Sequence, residues 1–314
     1  MLISVITPSL NQAAFINQTI QAVIDQNFSD FEHIIIDGGS TDGTLEILKS
    51  FSHLKLISEK DCGRADALNK GLKMACGEII AWINSDDYYL PEAFSKVSRF
   101  FDQNKDAKVL VGRAHVVDSE GRFLFSQASY PANQLHFEGL LRFWRNKSLP
   151  QPSLFFKKEV LKEVGYFDSA LHDYPDYDLV LRLSRKYKFY PTSDFFSCIR
   201  IQENAGSVLD IKNGVLEKKL LNVSLPHWKF LSKREHFKIV WSYRLAAVFI
   251  WWRASYESFA FKNKAQLIQS WKELSAANFF KKHGRLFLKH PAQSIWAAFH
   301  FGIKSIRSAF KKFL

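Results

Sequence analysis

Short unbroken apolar runs alternate with apolar positions at helical spacing through the first third of the chain. Leu2–Thr7 (LISVIT) is apolar and is stopped by Pro8, as a buried strand would be. Phe15, Ile16, Thr19, Ile20, Val23 and Ile24 follow every three or four positions, which predicts one face of a helix. His33–Asp37 (HIIID) predicts a second strand, cut by a glycine-rich turn in which Ser40 or Thr41 can cap a helix carrying Leu45, Ile47 and Leu48. Leu54–Ser58 predicts a third strand, Ala65–Ala75 a helix with Leu68, Leu72 and Ala75 on one face, and Ile79–Ile83 a fourth strand. Strands that are continuously apolar, separated by helices, indicate a parallel sheet covered on both faces.

In open parallel sheets, ligands bind outside the carboxyl ends of the strands. Here those ends read Thr7-Pro8-Ser9, Asp37-Gly38-Gly39-Ser40, Glu59-Lys60-Asp61 and Asn84-Ser85-Asp86-Asp87. Adjacent carboxylates repel and are costly to enclose, so a core strand ending on Asp86-Asp87 points to a site. The plainer reading is a polar lead-in to the helix beginning near Pro91. No phosphate-cradling glycine loop follows the first strand. An acidic edge repels bare phosphate but suits a hard divalent cation, Mg²⁺ or Mn²⁺, that could grip a diphosphate.

Charge divides the chain unevenly. Of 314 residues, the first 211 hold 23 Lys+Arg against 27 Asp+Glu, a balance of −4, and the rest hold 20 against 4, a balance of +16. The composition, 47% hydrophobic and 24% charged, is that of a globular protein. Cys62, Cys76 and Cys198 are odd in number and lack ligand-like spacing, which points to free thiols rather than disulfides or a zinc site. The first residues lack the basic run and cleavage motif of a signal peptide. The longest apolar run, Leu245–Trp252, lies between Arg244 and Arg253 and is too short to span a bilayer.

Four segments, SVITPSLNQ, IIIDGGSTDGT, DALNKGL with GEIIAWINSDDYYLP, and GYFDSALHDYPDYDLVLRL, occur in that order over about residues 1–205. Together they resemble the inverting glycosyltransferases of family 2. The resemblance implies a GT-A fold, Rossmann-like and mostly parallel with helices on both faces, and a hexosyltransferase-type reaction. In that reaction a sugar leaves a nucleoside diphosphate donor with inversion. Carried over, it places Thr7, Pro8 and Ser9 at the nucleotide pocket and Asp37 on the base, where a carboxylate favours uracil and hence a UDP-sugar. The plainer role for Asp37 is to stabilise its own turn. The resemblance puts Asp61, Arg64 and Asp66 against the nucleotide or diphosphate. It makes Asp87 the direct metal ligand and brings Asp86 to the ribose or donor sugar. Asn84 departs from the family, which often has a carboxylate there. Asp176 falls where the family places its general base, with Asp178 as the close rival and Asp173 a distant one. The preceding residue is Pro175 rather than the usual Glu, and helix capping is the plainer role for Asp176.

The resemblance ends near residue 205, so residues 206–314 form a second region, helical, basic and aromatic-rich. Ile295, Phe299, Ile303, Ile306, Phe310 and Phe313 recur at helical spacing with Lys304, Arg307, Lys311 and Lys312 between them. That pattern suits an anionic membrane interface, placing the enzyme in the cytoplasm at the inner membrane face with a saccharide or lipid-linked glycan as acceptor. A core-packing helix is the plainer alternative. No nucleic-acid motif accompanies the charge. Two other classes compete. A sugar nucleotidyltransferase needs a glycine-rich basic loop after the first strand, where TPSLNQAAF stands. A non-catalytic membrane-bound scaffold is compatible with Pro175 and Asn84.

Overall fold

The structure is a computed structural model and describes residues 1–127, 131–142, 149–203 and 205–243. The chain forms two compact units, Met1–His236 and Phe237–Leu314. The expected boundary after residue 205 therefore falls inside the first unit. The run Leu245–Trp252 and the amphipathic pattern from Ile295 to Phe313 lie outside the described residues. No described helix is long and apolar enough to cross a membrane.

The predicted strands form half of one sheet. Strands β1 (Ile3–Ser9), β2 (Phe31–Asp37), β3 (Leu54–Ser58) and β4 (Ile79–Trp82) lie in the order β3-β2-β1-β4, all parallel. Helices α1 (Ile16–Ile24), α2 (Thr44–Lys49) and α3 (Arg64–Met74) connect them. After β4 come the two-residue β5 (Tyr88–Tyr89), helix α4 (Ala93–Gln103), β6 (Val109–Val117), β7 (Phe123–Gln127) and the short α5 (Phe137–Leu140). Next are β8 (Leu154–Lys157), α6 (Leu161–Val164), α7 (Pro175–Lys186) and β9 (Phe189–Arg200). These strands extend the sheet beyond β4 as β8-β6-β9-β5, with β7 paired to β6. Strand β8 is antiparallel to both β4 and β6, and β9 is parallel to β6. Consequently β4, β6 and β9 all end at one edge. Helices α8 (Gly206–Lys212) and α9 (Leu216–Ser224) follow, then a 3-10 turn over Leu225–Phe230.

Both faces are covered. Ile3, Val5, Ala81, Phe155 and Phe196 pack against Phe94, Val97 and Phe101 of α4, all essentially without exposure. On the other face α3 lies close on β1. A Cβ at Gly71 would come within 2.5 Å of Ile6 Cγ2, so only glycine lets the helix approach. Asn69 of α3 then holds the backbone of Phe167 from both sides, donating to its carbonyl and accepting from its N–H, each at 2.9 Å.

Candidate active site

The edge where β1, β2 and β4 end carries most of the expected residues, but hydrogen bonding sorts them into scaffold and site. Thr7 is fully buried and its Oγ1 lies 3.0 Å from His33 Nε2, so its side chain supports the strand and does not line the edge. Pro8 is half-buried. Ser9 is 4% exposed, and its Oγ has no hydrogen-bond partner. Asp37 is fully buried. Its Oδ2 accepts from the N–H groups of Gly39 and Ser40 and from Ser58 Oγ, at 3.2, 3.1 and 2.7 Å, and its Oδ1 accepts from Ser40 Oγ. These contacts fit the turn-stabilising role of Asp37, with both oxygens accepting from the adjoining turn and strand.

Asp61 lies over that turn. A Cβ on Gly38 would stand 2.7 Å from Asp61 Oδ2, so the missing side chain is what lets the carboxylate approach, while Asp61 Oδ1 accepts from the Gly63 N–H at 2.9 Å. Asp66, in the first turn of α3, accepts from the Cys62 N–H at 3.2 Å and pairs with Lys70 at 3.2 Å. The Cys62 bond, with Lys70 beside it, outweighs partial burial and holds the Asp66 carboxyl below its ordinary range. Arg64, at the start of α3, reaches to 3.9 Å from Asp176 Oδ1.

The Asn84–Asp87 turn separates its two carboxylates. Asp87 is 3% exposed. Its Oδ1 accepts from the backbone N–H of Arg200 at 2.8 Å and its Oδ2 from Asn84 Nδ2 at 3.1 Å. Burial, with the Asp86 charge adding to it, pushes its carboxyl up to about 8. Asp86 is half-buried and its Oδ2 accepts from Gln202 Nε2 at 2.6 Å. Burial holds it above the ordinary carboxylate range, against the Gln202 bond and the Arg200 and Arg64 charges. Asp87 is thus tied into the fold by both oxygens, and the Asp86 carboxylate by Oδ2. Among the described residues no group of three or more His, Cys, Asp or Glu could hold a metal alone. A single carboxylate completed by substrate phosphates is, however, an ordinary donor set for Mg²⁺ or Mn²⁺.

Helix α7 separates its aspartates in the same way. The residue preceding it, Tyr174, is left-handed at φ 48° and makes no side-chain cap, and Pro175 takes the first helical position. Asp176 is therefore not the cap. Its Oδ1 is buried without a hydrogen bond, with Arg64 as the cation beside it. Asp178 is 8% exposed. Its Oδ1 lies 2.8 Å from His227 Nε2, and its Oδ2 accepts from Arg182 Nε at 2.8 Å, with Arg182 Nη2 paired to it at the same distance. Burial works to raise Asp178, but the His227 bond and the Arg182 charge outweigh it and hold its carboxyl low. Asp173 pairs with Lys219 at 2.8 Å.

Arg200, Gln151, Gln202 and His227 escaped the sequence reading. Arg200 is 6% exposed and knits three segments together. Its Nε donates to the Asp86 carbonyl at 3.0 Å, Nη1 to the Ser119 carbonyl at 2.9 Å, and Nη2 to Gln18 Oε1 at 2.6 Å. Gln151 bridges Asn84 and the Trp82 carbonyl. A charged residue closing a twelve-residue strand was the one available signal for Arg200.

A mixed sheet flanked by helices, with acidic groups where its parallel strands end, is the GT-A architecture of glycosyltransferases. Solved structures share the fold. S. aureus TarS (residues 1–349, with UDP) aligns at a TM-score of 0.53 and 22% identity, covering 76% of this chain and 69% of that one. The mannosyltransferase PcManGT of Pyrobaculum calidifontis, solved with GDP-Man and Mn²⁺, aligns at 0.57 and 16% identity, covering 94% and 85%. The model of the family described as "Glycosyl transferase family 2" matches residues 4–165, and the chain belongs to that family. An uncharacterized glycosyltransferase of Methanocaldococcus jannaschii is 26% identical over 75% of this chain and 81% of its own length. A putative teichuronic acid biosynthesis glycosyltransferase of Bacillus subtilis is 35% identical over 35% of this chain and 46% of its own. Of two further relatives, the chain covers 64% of a Haemophilus influenzae protein and 31% of one from Rickettsia felis. The chain is a glycosyltransferase.

Proposed function

We propose that this glycosyltransferase moves a sugar, with inversion, from a UDP-sugar to a hydroxyl of a saccharide or lipid-linked glycan in polysaccharide biosynthesis, with Asp176 as general base. The observation that carries the reading is the contrast on α7: Asp178 has both oxygens engaged, whereas Asp176 has a buried oxygen without a hydrogen bond and lies near Arg64. A hydroxyl is a poor nucleophile at neutral pH. Asp176 accepts its proton as the bond from acceptor oxygen to anomeric carbon forms and the bond from that carbon to the diphosphate breaks. Arg64 donates to the departing diphosphate, whose negative charge grows in that step. Asp86, whose carboxylate Gln202 orients and whose carbonyl Arg200 holds, would hold Mn²⁺ or Mg²⁺. When bound, the ion supplies further charge stabilisation to the leaving group. UDP, the nucleotide in the TarS complex, comes first in the donor series.

The test is a thermal-shift series with UDP, UDP-GlcNAc and GDP-mannose, each with and without Mn²⁺, on the intact chain and on Asp176→Asn. A nucleotide should raise the midpoint further when Mn²⁺ is present, because a ligand of the folded state stabilises it by mass action. Asp176→Asn should keep that shift and lose transfer. Normal turnover in Asp176→Asn ends the assignment. A cytoplasmic site at the inner membrane face belongs to the same proposal. Its support is the +16 balance after residue 211 and the aromatic pattern of the second region. Co-sedimentation with vesicles of graded phosphatidylglycerol content checks it, and indifference of the intact chain to anionic lipid overturns it.

A further inference from the structure

The turn that bears Asp176 starts on Pro175 but lacks a capping side chain. Tyr174 sits in a left-handed conformation that a residue with a Cβ holds only when its surroundings enforce it. Among the described residues Asp176 pairs with Arg64 at 3.9 Å, and its buried Oδ1 makes no hydrogen bond. The enforcing contacts arrive from α8, α9 and the turn after them, a segment outside the residues the family model matches. Before Asp176, Tyr174 Oη donates to Asp210 Oδ2 at 2.8 Å, and Lys219 bridges Asp173 and Asp210 at 2.8 and 2.9 Å. After Asp176, His227 Nε2 meets Asp178 Oδ1 at 2.8 Å. His227 is 5% exposed and its Nδ1 has no partner. Its one hydrogen bond is therefore to Asp178, and because that carboxylate can only accept, Nε2–H is the donor.

We propose that Asp210, Lys219 and His227 are positioning residues. They grip the chain on both sides of Asp176 and hold its carboxylate where an acceptor hydroxyl must meet it. The inference rests on Asp176 being the base. It gives the Gly206–Phe230 segment a catalytic duty distinct from membrane attachment. None of the three residues needs to touch substrate. They act by keeping the first turn of α7 from fraying, since helix starts without caps open readily. A displacement of about 1 Å at a reacting group can cost on the order of a hundredfold in rate.

The experiment uses the full chain with Mn²⁺, following UDP release from UDP-GlcNAc or GDP release from GDP-mannose, whichever supports turnover. His227→Ala and Lys219→Met are compared with the conservative His227→Gln and Lys219→Arg. The expected result is a fall in kcat of about tenfold to a hundredfold for the first pair, with donor KM and UDP affinity changed by less than about twofold. The conservative pair should recover most of the loss, because Gln still donates to Asp178 and Arg still bridges the two carboxylates. Should His227→Ala fail to fold, Lys219→Met and Tyr174→Phe carry the same test at a half-exposed contact. Folded variants with unchanged kcat overturn the proposal. So does a joint loss of kcat and donor binding that Gln and Arg do not restore, which marks the segment as structural only. Undiminished turnover in Asp176→Asn instead removes the premise, and the two failures are distinguishable in one series.

Discussion

The Asn84–Asp87 turn and the first turn of α7 solve the same problem in the same way. Each presents two close carboxylates, and in each an arginine network engages one and leaves the other. The backbone N–H of Arg200 holds Asp87, and the guanidinium of Arg182, with His227, holds Asp178. The neighbours Asp86 and Asp176 are half-buried. In these two clusters the more buried aspartate is the scaffold. At the strand end the two carboxylates are adjacent, and the Asp86 charge acts directly on Asp87. The turns differ in how the scaffold member titrates. Asp178 gains enough from its partners to be held low, whereas Asp87, beside the Asp86 charge, is pushed up to about 8.

The sharpest way to break the comparison is to exchange the α7 pair. Asp176→Asn keeps shape but cannot accept a proton, so transfer should fall by about two to four orders of magnitude with donor binding intact. Asp178→Asn leaves Arg182 and His227 facing a neutral group in a buried site. It should cost roughly 2–4 kcal/mol of stability, read as a lower urea midpoint, with a smaller loss of turnover in the protein that remains folded. If Asp178→Asn is fully stable yet inactive, the scaffold and site roles on α7 are reversed.

The same exchange at the strand end should have a smaller effect. Asp86→Ala should remove the Mn²⁺ dependence of turnover and lower it by about a hundredfold, the loss of one preorganised charge contact. Asp87→Asn resembles the neutral carboxyl that burial favours there and can still accept from the Arg200 N–H. It should retain Mn²⁺ dependence and lose only about 1 kcal/mol, one hydrogen bond's worth. A Mn²⁺ titration of both variants decides between them. Loss of the metal response in Asp87→Asn alone would restore Asp87 as the ligand.

The sequence announced both turns but not which member of each pair the fold engages, for a physical reason. Apolar runs, glycine turns and acidic strand ends are local features, and β1 to β4 fall close to where the periodicity put them. Which carboxylate of a pair is free depends on donors far along the chain. Arg200 lies 113 positions from Asp87, and His227 lies 49 from Asp178. Asp37 shows the converse case. Every donor that engages it among the described residues lies within the adjoining turn or strand, so its turn role was legible. The second half of the sheet carried no alternation strong enough to predict, because β8 and much of β6 are buried on both faces and read as undifferentiated apolar sequence.

The smallest expected effect extends the division of scaffold from site to titration. His33 is fully buried beneath the edge, with Nε2 at Thr7 Oγ1 and Nδ1 without a partner. Burial, and then the charge of His53, lowers its pKa to about 3. In the unfolded chain an imidazole titrates near 6.5. Above about pH 6.5 both states are neutral and His33 contributes nothing to the pH dependence. As pH falls from about 6.5 toward 3, the unfolded chain takes up a proton that the folded chain refuses, and stability drops by about 1.4 kcal/mol per pH unit. Urea midpoints at pH 7.0, 5.5 and 4.5 should therefore decline more steeply for the intact protein than for His33→Gln, which can still meet Thr7 but does not titrate. Both proteins carry the same carboxylates, so the difference in slope isolates the histidine. The pH profile of kcat should be the same for the two, because His33 supports β1 from below and faces no substrate. Parallel stability slopes mean that His33 titrates as if solvated. A displaced kcat profile means that the layer beneath the edge belongs to the site, and the line drawn between scaffold and site must move inward by one layer.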